Sequence, residues 1–543
     1  MECKSTMQTK YVVILGSVMS GLGKGVVTSS ILKLLDFYNY SALPVKFDGY
    51  LNYDCGTMNP YRHGEVFVLD DKSEVDMDFG LYERFLNKNM QGNQSITGGK
   101  LFGSIIEKER RGGYLGEDVQ IIPHLTSRAI EMIQNVGREN NLDVVVVEVG
   151  GTVGDLENSY FIEAMRQLAL KEPTVFINLT YTPKMEVVGE QKTKPAQQGF
   201  RNLLQSGIMP DFVVCRSVDR LLEKTKEKLA LFANITKERV IDDSDLASVY
   251  MLPLHFMEQG FDKMLMEQLG FGNSINSEKL DMWKNKINNI LNPSAKVEIG
   301  VLGKYTGLSD SYASIKEAVA HAGAELAIKP TMRWIEGEDL EKGDMSKLDG
   351  IGALIVPGGF GKRGIEGMIK GIQYAREKGI PYLGICLGMQ LMCVEYARNV
   401  CGLEDANSSE FDPNTKHDVI SLMDEQKSVK DKGGTMRLGL WECKLKSGTT
   451  AYALYGREKI GERHRHRYEF NNNYRELMEE KGFVISGTTM DNKLVEFVEW
   501  KNGFGIATQS HPELRSRLEA PAPLFVGLLK SANTSKTANT ARD

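Results

Sequence analysis

The chain has only seven cysteines in 543 residues, an odd number without paired spacing. That argues against both a disulfide framework and C-x-x-C zinc clusters. It also lacks any apolar run near the roughly 18 residues that a bilayer span needs, and residues 1–10 are polar. Charge of neither sign dominates. The 66 Lys and Arg nearly balance 72 Asp and Glu, leaving a formal -6, so the overall field gives no reason to expect a nucleic acid as partner. Any anionic ligand must then be met by local basic groups. A soluble, cytoplasmic protein without a membrane partner is the expectation. One hydrophobic core does not serve a chain of this length, and the size prior allows about three to four units, or two large domains.

What is present is one theme repeated twice. Short β-branched runs at 11–15, 143–149, 174–179 and 212–215 alternate with longer amphipathic stretches, the pattern of a parallel sheet with helices on both faces. After residue 274 the chain turns polar and rich in Asn and Lys, ending in Asn292-Pro293-Ser294, which reads as a linker holding a short helix. Strands resume at 297–302, 353–356 and 382–385, with a helical pattern at 312–324. The expected class is α/β, with two doubly wound domains, each a largely parallel sheet flanked by helices. The expected boundaries are 1–276, a linker at 277–296, 297–528, and a small-residue, disordered tail at 529–543.

Within the second domain, residues 381–390 read P-Y-L-G-I-C-L-G-M-Q: an apolar strand, then Gly384, Cys386 and Gly388, then at once a helix. That spacing suggests a nucleophile elbow, the sharp strand-to-helix turn that lifts one side chain clear of a sheet. The helix N-terminus favours a thiolate there, and backbone N–H groups of the turn can meet an oxyanion. The decapeptide alone equally allows Cys386 to be a small buried hydrophobe, as most free cysteines are.

The first domain opens with strand 11–15 running into G-S-V-M-S-G-L-G-K-G, Gly16 to Gly25, followed by a helix-compatible stretch from Val26. Such glycines let backbone N–H groups approach phosphate oxygens, the helix N-terminus adds partial positive charge, and Lys24 adds a full one. The match to the standard P-loop is incomplete. Val18 stands where the first glycine belongs, and Gly25 where Ser or Thr follows the lysine, so a glycine-rich turn without a ligand stays open. If a nucleotide binds, carboxylates must hold its metal. Glu74, Asp76 and Asp78 alternate in S-E-V-D-M-D-F, and Glu148 lies near the end of the most apolar run, V-V-V-V-E-V-G-G. An acid at the carboxyl end of a buried strand lies at the crevice where open α/β sheets bind ligands, and its hard oxygens suit magnesium. The alternating acids also fit a solvated strand face. Asp155 and Glu157 suit ligand hydroxyls or plain solvation, and Lys46, Lys192, Lys194 and Lys228 suit a second polyphosphate, although each taken singly reads as an exposed lysine.

Together, S-G-L-G-K-G, H-G-E-V-F-V at 63–68, V-E-V-G-G-T-V-G-D at 147–155 and K-T-K-P at 192–195 resemble the CTP synthase family. The second half adds P-G-G-F-G at 357–361, G-I-C-L-G-M-Q, R-H-R-H-R-Y-E at 463–469 and H-P-E at 511–513. An amidoligase half and a class I glutamine amidotransferase half thus stand in the family's order up to about residue 528. The resemblance implies a glutamine-hydrolysing ligase that phosphorylates the uracil O4 of UTP with ATP. Ammonia then displaces the phosphate, giving CTP, ADP, phosphate and glutamate.

Carried over residue by residue, the resemblance implies that Cys386, His511 and Glu513 form a glutaminase triad. Gly359 and Phe360 match oxyanion and glutamine contacts, while Gln390, Glu410 and Arg467 match residues that hold the substrate's ammonium and carboxylate. His464 and His466 need no catalytic role, and a metal there would lack further ligands. Ser20, Gly21, Leu22, Gly23, Lys24 and Gly25, with Arg216, match the ATP site, and Asp78 and Glu148 the magnesium (Mg2+) ligands. Ser20, Lys46, Lys192, Lys194, Gln197 and Lys228 match the UTP site, and Asp155 and Glu157 match residues that recognise the ribose or base of CTP, the inhibitory product. GTP is the family's activator, and M-R-L-G at 436–439 resembles its lid over the glutaminase site. Family members form homotetramers, can build filaments, and deliver ammonia internally.

Two departures stand out. The family commonly has D-P-Y-I-N-V-D where this chain has D-G-Y-L-N-Y-D at 48–54, and G-G-V where it has G-S-V beside the phosphate loop. Gly49 in place of proline is expected to loosen the backbone beside Lys46. The residues also fit two other readings: a glutamine-dependent amidoligase acting on a carboxylate, or a catalytically idle assembly protein. Intact Cys386, His511, Glu513, Lys24 and Glu148 count against the second.

Overall fold

The Val, Ile and Leu runs of the first half are buried, as a helix-covered parallel sheet requires. In the computed structural model, which describes residues 8–59, 63–185, 189–304, 309–422 and 436–540, they form seven strands. These are β1 (Lys10–Gly16), β2 (Ala42–Asp48), β3 (Ser95–Thr97), β4 (Val144–Val149), β5 (Thr174–Tyr181), β6 (Phe212–Ser217) and β7 (Val240–Ser244). Their spatial order is β7-β6-β5-β1-β4-β2-β3, and every neighbouring pair is parallel. All carboxyl ends therefore open on one edge. Register sets Glu148 beside Ile14 of β1 and beside Lys46 of β2. Strands β1, β5 and β6 run longer than their apolar cores because polar end residues still join the ladder, as in Gly16 with Leu179 and Ser217 with Ser244.

The second sheet comprises β8 (Ala295–Gly303), β9 (Ile328–Glu336), β10 (Ala353–Val356), β11 (Tyr382–Ile385), β12 (Arg437–Leu445), β13 (Lys459–His466), β14 (Phe483–Thr489), β15 (Val495–Trp500) and β16 (Gly505–Thr508). The order is β9-β8-β10-β11-β16-β15-β14-β12-β13. Pairs from β9 to β16 are parallel, and the remaining pairs are antiparallel. The expected parallel character thus holds for five strands only. An antiparallel extension can leave one face wet, and Leu440 and Trp441 are exposed there.

Contacts group the chain into two compact units, one built from the chain up to Cys55 with Leu81–Lys284, the other from Gly56–Gly80 with the chain from Asn285 onward. Three expectations are corrected. The segment 56–80 belongs with the second unit, where Arg463 Nε donates to Asp70 at 2.6 Å and Arg465 Nε to Glu74 at 2.8 Å. The expected linker 277–296 is mostly a packed helix, Ser277–Leu291. Its polar composition hides an apolar stripe of Leu280, Trp283 and Ile287, and Trp283 is fully buried with its Nε1–H donated to Tyr250 O at 2.9 Å. The expected disordered tail from 529 instead continues the helix Pro523–Thr540, with Leu529 and Ala532 buried; residues 541–543 lie outside the described residues. Among the described residues no helix is long and apolar enough to cross a membrane.

Candidate active sites

Strand β11 leads directly into Cys386, whose φ of 52° and ψ of -100° lie where a non-glycine residue stays only under compulsion. The surroundings supply it. Cys386 N–H bonds Thr508 O at 2.7 Å, and the helix Leu387–Asn399 begins at the next residue. The flanking glycines make room: a Cβ on Gly388 would lie 2.1 Å from Val356 O, and one on Gly384 would lie 2.8 Å from the Ala507 Cβ. The G-x-C-x-G spacing is therefore a steric requirement of the turn, with Cys386 at its apex.

Strand β16 leads to the cysteine's partners. His511 N–H bonds Arg463 O at 2.7 Å, and His511 Nδ1–H donates to Glu513 Oε1 at 2.7 Å. The ring's Nε2 has no hydrogen-bond partner among the described residues. Gly358 separates ring and thiol, since a Cβ there would be 2.9 Å from His511 Cε1 and 3.6 Å from the Cys386 Cβ. Burial alone would depress the imidazolium, but Glu513 and then the Cys386 sulfur outweigh it and raise His511 to about 10.

These residues face a cavity of about 780 Å³ that is also lined by Gly359, Phe360 and Arg467, and by Gly56, Thr57 and Glu65 from the segment 56–80. Gln390 and Glu410 do not line it. Gln390 Nε2 donates to Tyr468 O at 3.2 Å and Gln509 Oε1 at 3.4 Å, and Glu410 accepts from Gly361 N–H at 2.9 Å. Sequence reasoning missed Gly358, although it adjoins Gly359, and Lys304, whose Nζ donates to Phe360 O at 3.3 Å. Burial lowers Lys304 to about 8. The R-H-R-H-R run alternates as a strand must: Arg463 and Arg465 reach Asp70 and Glu74, while His464 and His466 are buried. Burial and the nearby Arg437 hold both histidines well below their ordinary range, and His464 Nδ1 lies 2.9 Å from His466 Nε2.

In the first unit the glycine-rich turn opens the helix Lys24–Phe37, with Gly21 and Gly23 at φ 77° and 91°. Val18 takes φ 86°, so the loop keeps a glycine-like conformation where the standard pattern has glycine. Lys24 Nζ donates to Gly151 O at 2.7 Å. Glu148 is buried, and one of its oxygens, Oε2, accepts from Thr28 Oγ1 at 2.8 Å and from the Tyr82 hydroxyl at 2.5 Å. Thr28 was legible in principle, four residues after Lys24 on one helix face. Tyr82 carried no local signal.

Lys24, Lys46 and Glu148 meet at the carboxyl edge of the sheet; Ser20 and Gly21 are exposed on the turn, while Leu22 and Gly25 are buried. Arg216 Nη1 donates to Asp243 O at 3.0 Å, and burial raises Asp243 to about 6. Lys192 pairs with Glu190, Lys194 opens the helix Lys194–Gln205, Gln197 Nε2 donates to Thr193 Oγ1 at 2.8 Å, and Lys228 is exposed on the helix Glu223–Ala233. Asp155 accepts from Thr152 N–H at 2.8 Å. A Cβ on Gly49 would lie 2.8 Å from Glu157 O, so this glycine permits a close backbone approach rather than merely loosening the chain. Asp78 opens the helix Asp78–Leu86 and falls among the residues grouped with the second unit, whereas Glu148 belongs to the first. Among the described residues no cluster of three or more His, Cys, Asp or Glu forms a ready metal cage.

A family model described as the CTP synthase N-terminus matches residues 10–271, and one described as glutamine amidotransferase class-I matches residues 308–531. A CTP synthase of Carboxydothermus hydrogenoformans is 49% identical over 522 residues, 95% of this chain and 97% of its own length. Another, of Pyrococcus abyssi, is 48% identical over 533 residues, 97% of this chain and 98% of its own. The solved glutaminase domain of Trypanosoma brucei CTPS with bound acivicin is 34% identical, covers 44% of this chain and 94% of its own, and has a TM-score of 0.42. With two family models in sequence and nearly half of all positions shared with relatives over almost their whole length, the chain belongs to the CTP synthase family.

Proposed function

We propose that the chain aminates UTP to CTP, using ATP to activate the uracil O4 and ammonia drawn from glutamine. The observation that carries the glutaminase half is the strained Cys386 beside a His511 ring held by Glu513, all three lining one cavity. The thiolate attacks the side-chain amide carbon, and His511 gives the departing nitrogen its proton. Ammonia leaves and a glutamyl thioester remains. Water, losing a proton to the same ring, then cleaves the C–S bond, releasing glutamate and restoring the thiol. Backbone N–H groups of Leu387, at the helix start, and of Gly359 are the oxyanion donors. Arg467 suits the substrate's carboxylate, and Gln390 and Glu410 complete the glutamine site through Tyr468 and Gly361.

In the synthetase half, the turn Ser20, Gly21, Leu22, Gly23, Lys24 and Gly25 takes the ATP phosphates with Arg216. Ser20, Lys46, Lys192, Lys194, Gln197 and Lys228 take UTP, and Asp155 and Glu157 the ribose or base of CTP. The buried Glu148 carboxylate, a hard oxygen donor whose two hydroxyl contacts both fall on Oε2, fits magnesium, with Asp78 as a second ligand. When bound, the ion neutralises charge on the transferring phosphoryl group. GTP as activator, CTP as feedback inhibitor, and a homotetramer able to assemble into filaments complete the reading.

Cys386→Ala tests the division of labour: CTP formation from glutamine should vanish while formation from added ammonia continues. Lys24→Ala and Glu148→Ala should lose both. Failure of ammonia in folded Cys386→Ala, or ATP- and ammonia-dependent CTP synthesis in either of the other variants, refutes the assignment concerned. Product analysis with UTP separates this reading from an amidoligase acting on a carboxylate.

A further inference from the structure

Between β16 and His511 lies Gln509, fully buried and used by none of the motifs above. Its backbone N–H bonds Glu496 O at 2.9 Å, and the preceding Thr508 carbonyl accepts from Cys386 N–H, so the backbone is fixed beside the elbow. The orientation of its amide follows from its neighbours. Gln390 must turn its NH₂ toward Tyr468 O, because a carbonyl can only accept. The same nitrogen faces Gln509, so the Gln509 atom there is Oε1. That leaves Gln509 Nε2 directed at the Cys386 sulfur, 3.7 Å away.

We infer that Gln509 is a further catalytic residue: its amide N–H donates to the Cys386 sulfur, holding the anion in place for attack and tying it through Gln390 to the glutamine site. The inference rests on the reading of Cys386 as nucleophile. His511 shuttles the proton, whereas Gln509 keeps its own and acts only as a fixed donor. An amide is suited to this because it cannot take the proton from the thiol.

Two near-isosteric variants test it. Gln509→Met keeps bulk and removes the donor; Gln509→Glu keeps shape, still accepts from Gln390, and sets a carboxylate against the sulfur. Each is measured for the kcat and KM of glutamine hydrolysis and for the rate of Cys386 alkylation by iodoacetamide, mapped by mass spectrometry, with thermal unfolding as the check on folding. Loss of one hydrogen bond to a charged group predicts about a tenfold fall in kcat for Gln509→Met, with KM within about twofold, slower alkylation, and a larger loss for Gln509→Glu. Wild-type kcat and alkylation in folded Gln509→Met, or a change confined to KM, overturns the role while leaving Cys386 as nucleophile. If Gln509→Met does not fold, Gln509→Glu alone decides by the same readouts. Glutamine hydrolysis that survives Cys386→Ser overturns the underlying reading instead.

Discussion

Gly358→Ala probes how closely the glutaminase geometry is set. The added methyl carbon would lie 2.9 Å from His511 Cε1 and 3.6 Å from the Cys386 Cβ. Comfortable carbon contacts begin at about 3.5 Å, so the ring must retreat by about 0.6 Å or more. It has little freedom to do so, because Glu513 holds Nδ1 and Arg463 O holds the backbone N–H. The retreat therefore swings Nε2 away from the sulfur, and a misplacement near 1 Å costs up to about 10²-fold in rate. Overpacking of this kind costs about 1–3 kcal/mol of stability, which a large unit survives. The assay is CTP absorbance with UTP, ATP and magnesium, run once with glutamine and once with an ammonium salt. The glutamine-driven rate should fall by about 10–100-fold while the ammonia-driven rate holds. A glutamine-driven rate within about twofold of wild type, or a parallel fall of both rates, refutes the reasoning.

Glu513→Gln removes the main cause that raises His511 to about 10 from its ordinary 6.5. Because the folded value lies above the unfolded one, the contact stabilises the protein fully below pH 6.5 and progressively less as pH rises toward 10. The variant should show a glutaminase profile whose alkaline limb moves to lower pH and a flatter dependence of unfolding midpoint on pH in that window; unchanged profiles count against the pair. Thr28→Val leaves the buried Glu148 with Tyr82 as its remaining hydroxyl donor and should cost about 1–3 kcal/mol, read from the urea midpoint, together with ammonia-driven activity. An unaltered midpoint and rate would show that Thr28 does not support Glu148. Val18→Gly should relieve a backbone strain of about 1–3 kcal/mol and, after the entropic cost of glycine, raise stability by about 1 kcal/mol. A lower thermal midpoint would contradict a strained Val18.

The sequence revealed elements wherever an apolar run coincided with a ladder, as at Ala353–Val356 and Tyr382–Ile385, whose observed limits coincide with the apolar runs. It hid β2 and β7 because Pro44, Lys46 and the pair Asp242-Asp243 interrupt their hydrophobicity, yet both strands are paired inside a parallel sheet. The helix Ser277–Leu291 reads only as a short helix within a linker because polar residues cover most of its circumference, while a buried tryptophan anchors it. At the sites, motif residues were legible, but their supports were not. Tyr82 lies 66 residues from Glu148, and Gln509 lies 123 residues from Cys386. Tertiary pairs at such separations leave no periodicity to read. Nor did any local pattern announce that the segment 56–80 would help line the cavity of the second unit.

The R-H-R-H-R run shows how a polar core can set a cavity wall. Arg437 donates to Glu469 at 3.0 Å and to Glu496 at 2.6 Å, and it stands opposite His466 in the β12–β13 ladder. Burial, reinforced by Glu496 and opposed by Arg437, pushes Glu469 up to about 8. The cluster therefore tolerates neutral histidines and rejects another cation. A one-residue slip of β13 would exchange the faces of the strand, driving Arg463 and Arg465 toward Arg437 and turning the two histidines toward Asp70 and Glu74. The arginines would then leave those partners behind on the other face. Burying an unpaired guanidinium costs far more than misplacing an apolar side chain, so the network specifies register more sharply than a Val or Leu ladder would. That register, in turn, fixes Arg467 immediately beyond the strand end on the cavity wall.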